Sequence, residues 1–475
     1  MKAFLVSRAV LTSFLVALAV LVPEAQQTAG TPEPNTEAPA TEQDRPLPAL
    51  PYSPSLDPAS MDRSVDPCVD LYTYSCGGWM KKNPIPPDQA SWAVYSKLYQ
   101  DNQRFLWGIL QELSQRAAGR TADQQKLGDY FAACMDTAGI EKLGLTPLQP
   151  RLQRIAALRS KGEIPGYLGG EHLLTRTYEY GRGPSGALFR FTSDQDLGNS
   201  DQVIAFALAG GLGLPDRDYY TKADAKSQEL RNQYVAHVTK MLQLAGEPAS
   251  AAQHNAATVL RLETELANAS LTRVEQRDPY KLYHKMTSRQ LQALTPHFRW
   301  SVYLQAIGYP QLSRFNVTEP AFYQEMDRVI AQTPLNDLKA YFRWQLLHEN
   351  APYLSSAFVQ EDFNFYSRTL RGVQQMPARW KQCVHFTNRD LTDPLGKEFV
   401  ARTFTPEMKE RTLEMTQRIE QAMEEEINGL TWMSPPTRKQ ALVKLHSIVN
   451  KIGYPDKWRH YSSVGISHAG FLGNV

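Results

Sequence analysis

The sequence predicts a mainly α-helical protein: a large multi-helix lobe with one small β-hairpin, preceded by a signal peptide and a disordered linker. Three observations carry this prediction. Apolar residues recur at helical spacing in long stretches from about residue 61 onward, and strand-like alternation occurs in one place only. A chain of 475 residues with 42% hydrophobic residues has enough apolar surface to bury one large core or two to three smaller ones. Lys and Arg number 51 against 49 Asp and Glu. No field of one sign exists to gather nucleic acid or an acidic membrane surface.

Residues 1–25 read as an export signal. Lys2 and Arg8 form a basic start, and Ala9 to Val22 is an uncharged apolar stretch, short of the roughly 20 residues a membrane span needs. Ala25 is the candidate cleavage point, with Pro23 a poor small-residue match; an uncleaved anchor is the alternative. No cysteine follows the apolar run, and no second stretch reaches spanning length, so the mature chain is expected to carry no membrane span. The expected location is exported: periplasmic, cell-envelope or extracellular. Residues 26–60 are rich in Pro, Thr, Ala and Glu with few large apolar side chains, and read as a flexible tether that cannot offset the entropy of ordering.

Folding is expected from near Met61, with a helical lobe over 61–430 and the start of a connection to a further lobe over 431–475. "ELRNQYVAHVTKMLQLAGEP" sets Leu230, Tyr234, Val238, Leu242 and Ala245 on one face and stops at Gly246 and Pro248. "ATVLRLETELANAS" places Val259, Leu262 and Leu266 on a second stripe. Met415, Ile419, Met423, Ile427 and Leu430 give a long amphipathic run. In "SPPTRKQALVKLHSIVNKIGYP", Ser434 caps, Pro435 suits the first turn, Ala441, Leu445, Ile448 and Ile452 form the stripe, and Gly453 with Pro455 ends it. "ALFRFTS" (187–193) and "QVIAFALAGG" (202–211) form the hairpin. No internal repeat appears at periods of 20 to 50 residues.

The residues by themselves offer no active site. Zinc held from one helix needs two His at i and i+4 with a Glu beside the first. Among the ten His no such pair occurs. His348 with Glu349 begins the pattern, but Pro352 occupies the second ligand position, and His348 reads as an ordinary helix-end residue. His460 and His468 read as solvated loop histidines, and His237 and His446 as solvent-facing. No Ser-nucleophile elbow, phosphate loop or dinucleotide fingerprint occurs, and "GGLGLPDRDYY" (210–220) reads as a turn. Glu361 with Asp362, and Glu424 to Glu426, are adjacent in sequence, diverge on a helix and read as solvated faces. Asn268 and Asn316 begin NxS/T acceptors, relevant only in a glycosylating pathway. Export makes disulfides the expected state of Cys68, Cys76, Cys134 and Cys383, and four cysteines allow three complete pairings.

"DPCVDLYTYSCGGWM" (66–80), "GLGLPDRDYY", "RDPYKLYHKMT" (277–287), "RWKQCV" (379–384) and "LTWMSPPTRKQALVKLHSIVNKIGYPDKWRHYS" (430–462) together resemble the neprilysin and endothelin-converting-enzyme family of zinc metallopeptidases. Five ordered matches over some 400 residues are far more specific than any short pattern. The resemblance implies a helical lobe capping a thermolysin-like lobe around a cavity that admits peptides. It implies zinc held by HExxH and a later Glu, with substrate-holding Asn, Arg and His, all downstream of the IGYPDKW segment and beyond Val475.

The resemblance further implies a Cys134–Cys383 disulfide and partners for Cys68 and Cys76 in a missing C-terminal catalytic lobe, leaving those two unpaired here; the alternative is that they bond each other. Where mammalian neprilysin grips a terminal carboxylate with Arg, "QASWAVY" has Ser91, so endopeptidase action on short peptides is the expected inheritance. No catalytic or metal-ligating residue is assigned in this chain, substrate-binding residues are unassigned, and zinc belongs to the longer enzyme. The reading from another class is a non-catalytic exported helical protein that binds peptides or a partner.

Overall fold

The structure, a computed structural model, describes residues 45–52, 57–115, 118–174, 186–468 and 470–475. The signal segment and most of the linker lie outside the described residues. Among the described residues there are eighteen α-helices and one four-stranded sheet.

Local chemistry starts many of the helices. Asp70 opens the Leu71–Lys82 helix by accepting from the Thr73 amide at 2.9 Å, and Asp224 opens Ala225–Leu244 in the same way through Ser227. Thr121 and Gln124 form a reciprocal capping box on Ala122–Met135, as do Thr287 and Gln290 on Ser288–Leu294. Each such cap satisfies amides that the helix itself cannot, worth about 1 kcal/mol. The predicted stripes are the buried faces: Tyr234, Val238 and Leu242 on Ala225–Leu244, and Val259, Leu262 and Leu266 on Ala249–Ala269, are all buried.

The hairpin forms as expected and runs further toward its turn than the alternation indicates. β1 (Phe189–Asp196) pairs antiparallel with β2 (Asn199–Ala209), with a register shift at Gln195/Asp196. Two strands the pattern does not reveal extend it: β3 (Lys285–Thr287) and β4 (Arg314–Val317), giving the order β1-β2-β4-β3 with β4 parallel to β2. At three and four residues they are too short for a period-2 signal, and burial of Phe315 and Val317 fixes them instead.

Two apolar clusters hold the molecule. The larger runs from Leu148 to Tyr366 and collects the sheet with the long central helices. The smaller gathers Phe105, Ile109 and Leu113 from the Val94–Ser114 helix, Tyr130 and Cys134, and Trp380 to Leu395. Leu47 and Leu50, within the stretch read as a tether, pack against this second cluster, and the Leu47 amide donates to Arg104 O at 3.2 Å. The last residues also return to it. Phe471 is buried against Tyr130, Tyr353 and Phe386.

The Pro406–Gly429 and Pro435–His446 helices lie against one another and bury no residue fully. Met415, Ile419, Met423, Trp432, Val443, Ile448 and Val449 are all exposed. The second of these helices stops at His446, short of the predicted Ile452. Ser447 Oγ donates to Lys444 O at 2.7 Å, an alternative to continued helix, and no packed face repays further turns.

Candidate substrate-binding cleft

The Val94–Ser114 helix has two faces with different fates. Phe105, Ile109 and Leu113 enter the second cluster, while near its start Tyr95 and Tyr99 face water, 83% and 52% exposed. Together with Trp92 and the amide side chains of Gln89, Gln100 and Gln103 they line an open cleft of about 300 Å³, closed on one side by Lys381. The Gln103 amide donates to Tyr99 Oη at 3.3 Å.

The cleft has a rigid back wall. Lys381 Nζ lies 2.7 Å from Asp88 Oδ2, with only 12% and 10% of the two side chains exposed. The amides of Gln374 and Gln375 both donate to Pro87 O, at 3.1 and 2.9 Å, so the segment before Trp92 is held at three points. Behind Lys381, Trp380 stacks on Trp107 with centroids 4.3 Å apart. One turn further, Cys383 is bonded to Cys134, with Cα atoms 5.6 Å apart. Arg379 donates twice to Cys134 O, at 3.0 and 2.7 Å. Burial lowers this guanidinium's pKa to about 10, with Glu141 nearby opposing the shift.

A second polar centre lies inside the larger core. Glu263, on the apolar stripe of Ala249–Ala269, is fully buried. Tyr220 and Tyr234 hydroxyls donate to one carboxylate oxygen at 2.8 Å each. Trp344 Nε1 and Gln345 Nε2 donate to the other at 3.1 and 2.9 Å. Burial pushes the carboxyl up to about 7, against these donors and the Gly213 amide, which pull it down. The "GLGLPDRDYY" turn packs into this centre. A Cβ at Gly213 would lie 2.0 Å from Tyr234 Oη, so only glycine fits there.

The histidines fall apart in space. His348 is buried, stacked on Trp344. His460 is exposed, and His468 is held 2.8 Å from Asp129. His446 faces solvent beside Glu424. His237 is not solvent-facing: it is 3% exposed, stacked on Phe365, with Nδ1 2.8 Å from Glu361 Oε1. It shares the buried side of its helix with Tyr234 and Met241, a position the polar reading of histidine hides. Glu361 and Asp362 likewise are no solvated pair, since Asp362 is buried and Glu361 serves His237. Glu424 to Glu426 stay at the surface. Among the described residues no three or more His, Cys, Asp and Glu side chains converge as metal ligands. Cys68 is exposed and Cys76 half-buried, both as free thiols.

Residues 67–455 match the profile of Peptidase family M13. The chain belongs to that family. Human endothelin-converting enzyme 1 is 31% identical over 406 residues, covering 84% of this chain and 51% of the relative. Neprilysin-3 of Drosophila melanogaster is 28% identical over 416 residues, covering 84% and 52%. Among solved structures, the Mycobacterium tuberculosis zinc metalloprotease Zmp1 in complex with an inhibitor superimposes with a TM-score of 0.80 at 30% identity, over 88% of this chain and 62% of that one. The chain thus spans about half the length of the curated relatives it matches.

The cleft residues Trp92, Tyr95, Tyr99 and Lys381 escape sequence reading. One signal was available: in "SWAVYSKLYQDNQRFLWGIL" the aromatic residues of the first turns lie off the Phe105, Ile109, Leu113 stripe. Glu263 had a clearer one, lying four residues after Val259 on a buried face.

Proposed function

We propose that this chain is the N-terminal, substrate-enclosing portion of an exported zinc metalloendopeptidase that hydrolyses short peptides. The observation that carries the reading is the match of most of this chain to about half of endothelin-converting enzyme 1. The Met415, Ile419, Met423 and Trp432 surface supports it, because an apolar area of this kind left in water normally belongs to an interface. In this reading those helices, with Val69, Leu71, Tyr72 and Met80 of the first helix region, face the lobe that carries the zinc ligands. Cys68 and Cys76 pair with cysteines of that lobe.

The chemistry assigned to the longer enzyme is attack of a metal-activated water on a peptide carbonyl. This chain's own residues bind and orient the peptide and exclude bulk water. The 475-residue chain alone is expected to be inactive. The test is the DNA following the Val475 codon in the source genome. An in-frame continuation encoding HExxH and further cysteines supports the reading, and a native stop codon there contradicts it.

A further inference from the structure

Residues 46–51 lie as a strap on the middle of the Val94–Ser114 helix, and their sequence prepares them for it. Pro46, Pro48 and Pro51 fix their own φ angles, and Leu47 and Leu50 each precede a proline, which keeps both leucines extended before they meet anything. Seating such a segment costs little backbone entropy. Both leucines are half-buried against the second cluster, and the Leu47 amide donates to Arg104 O at 3.2 Å. One turn further along the helix is Gly108. A Cβ there would stand 3.3 Å from Leu47 O and 3.6 Å from Pro46 Cβ, so the absent side chain makes the notch in which the strap rests.

The strap closes a circuit around the candidate cleft. Beyond it the chain is fastened again at Pro58–Ser60, where Lys82 Nζ donates to Ala59 O at 3.1 Å. The chain is thus bound to the Val94–Ser114 helix at one point and to the end of the Leu71–Lys82 helix at the next. Residues 83–93, which join those two helices, carry Gln89 and Trp92 of the cleft. The helix start that follows is weakly held by itself. Ala93 offers no side-chain cap, and no residue before Asp101 is fully buried, the pattern of a segment that opens locally. Charge links it to the strap's contact: Arg104 lies 3.9 Å from Asp101, and Asp101 lies 2.7 Å from Lys97, at the helical spacings where such pairs meet. Tyr95, Tyr99 and Gln100 of the cleft stand on those same turns.

We propose that residues 46–51 are a latch: seated at Gly108 they hold the first half of the Val94–Ser114 helix in place, and unseated they release those turns with the cleft residues on them. A pull on the chain N-terminal to Pro46 acts on this contact first. The latch sets the stiffness of the cleft, whatever occupies it, and stands apart from the peptidase reading.

The test is amide hydrogen exchange on the full 475-residue chain, read by mass spectrometry over residues 94–108 and, as the reference, over 225–244 in the larger core. Two variants unseat the strap from opposite sides. Leu47→Asp with Leu50→Asp removes its anchors, and Gly108→Leu fills its notch while raising the helix's own propensity. In both, exchange over 94–108 should quicken about tenfold, as the loss of two half-buried leucine contacts allows, while 225–244 stays within about twofold of wild type.

Unchanged exchange over 94–108 in either variant overturns the latch. So does equal acceleration of both regions, which marks a general loss of stability. A variant that no longer folds overturns it too, since a latch leaves the body intact when it opens, and residues 46–51 would then be ordinary core.

Discussion

At the residue scale the buried Glu263 makes a specific pH prediction. Its folded pKa is raised from 4.5 to about 7, so the folded chain holds this proton more tightly than the unfolded chain does. The resulting stabilisation is complete below about pH 4.5 and is lost as pH rises through about 7, a change of roughly 3 kcal/mol. Denaturant midpoints should fall across that window in the wild type, and Glu263→Gln should lack that contribution. An identical slope in the variant would assign the pH dependence elsewhere. Thiols give a second prediction. Unfolded without reductant, the chain should react with two equivalents of a thiol reagent, from Cys68 and Cys76, and zero equivalents would mean that they bond each other.

These residues also mark where sequence reading reaches its limit. The stripe that contains Leu262 and Leu266 was legible because apolar periodicity repeats. The single Glu on that stripe carried a positional signal, four residues after Val259, but its identity argues for water, and its five donors explain how the burial is met. His237 misleads for the same reason, with Glu361 supplying the partner from 124 residues away.

At the element scale, the disulfide and the cap carry separable predictions. Opening Cys134–Cys383, which closes 249 residues, by Cys134→Ala with Cys383→Ala should cost up to about 5 kcal/mol in the chain-entropy picture. Thr121→Ala should cost about 1 kcal/mol by removing one half of a capping box. Both are read from urea midpoints at constant slope. The long helices and the hairpin were visible in the sequence through stripes, caps and Gly stops. β3 and β4 were not, since strands of three and four residues exist only through their neighbours. The overestimate of the last helix to Ile452 has the opposite cause: its pattern is helical, but past His446 the side chains that would continue it, Ile448 and Val449, are exposed.

At the scale of the whole molecule, the exposed apolar helices should govern behaviour in solution. Met415→Lys with Met423→Lys should leave the thermal midpoint unchanged, since neither side chain is buried, and reduce aggregation in light scattering. A large loss of stability would instead place that face inside the fold of this chain alone. The M13 fold was legible from five ordered motifs, whereas the candidate cleft was not, because it is built from helix-start aromatics and a lysine nearly 300 residues apart. The central claim, that this chain encloses substrate for a zinc centre it does not itself carry, is tested most directly by zinc content and peptide hydrolysis measured on one purified sample of the 475-residue chain. The account predicts neither stoichiometric zinc nor turnover; one zinc per chain with proteolysis that a chelator abolishes would contradict it.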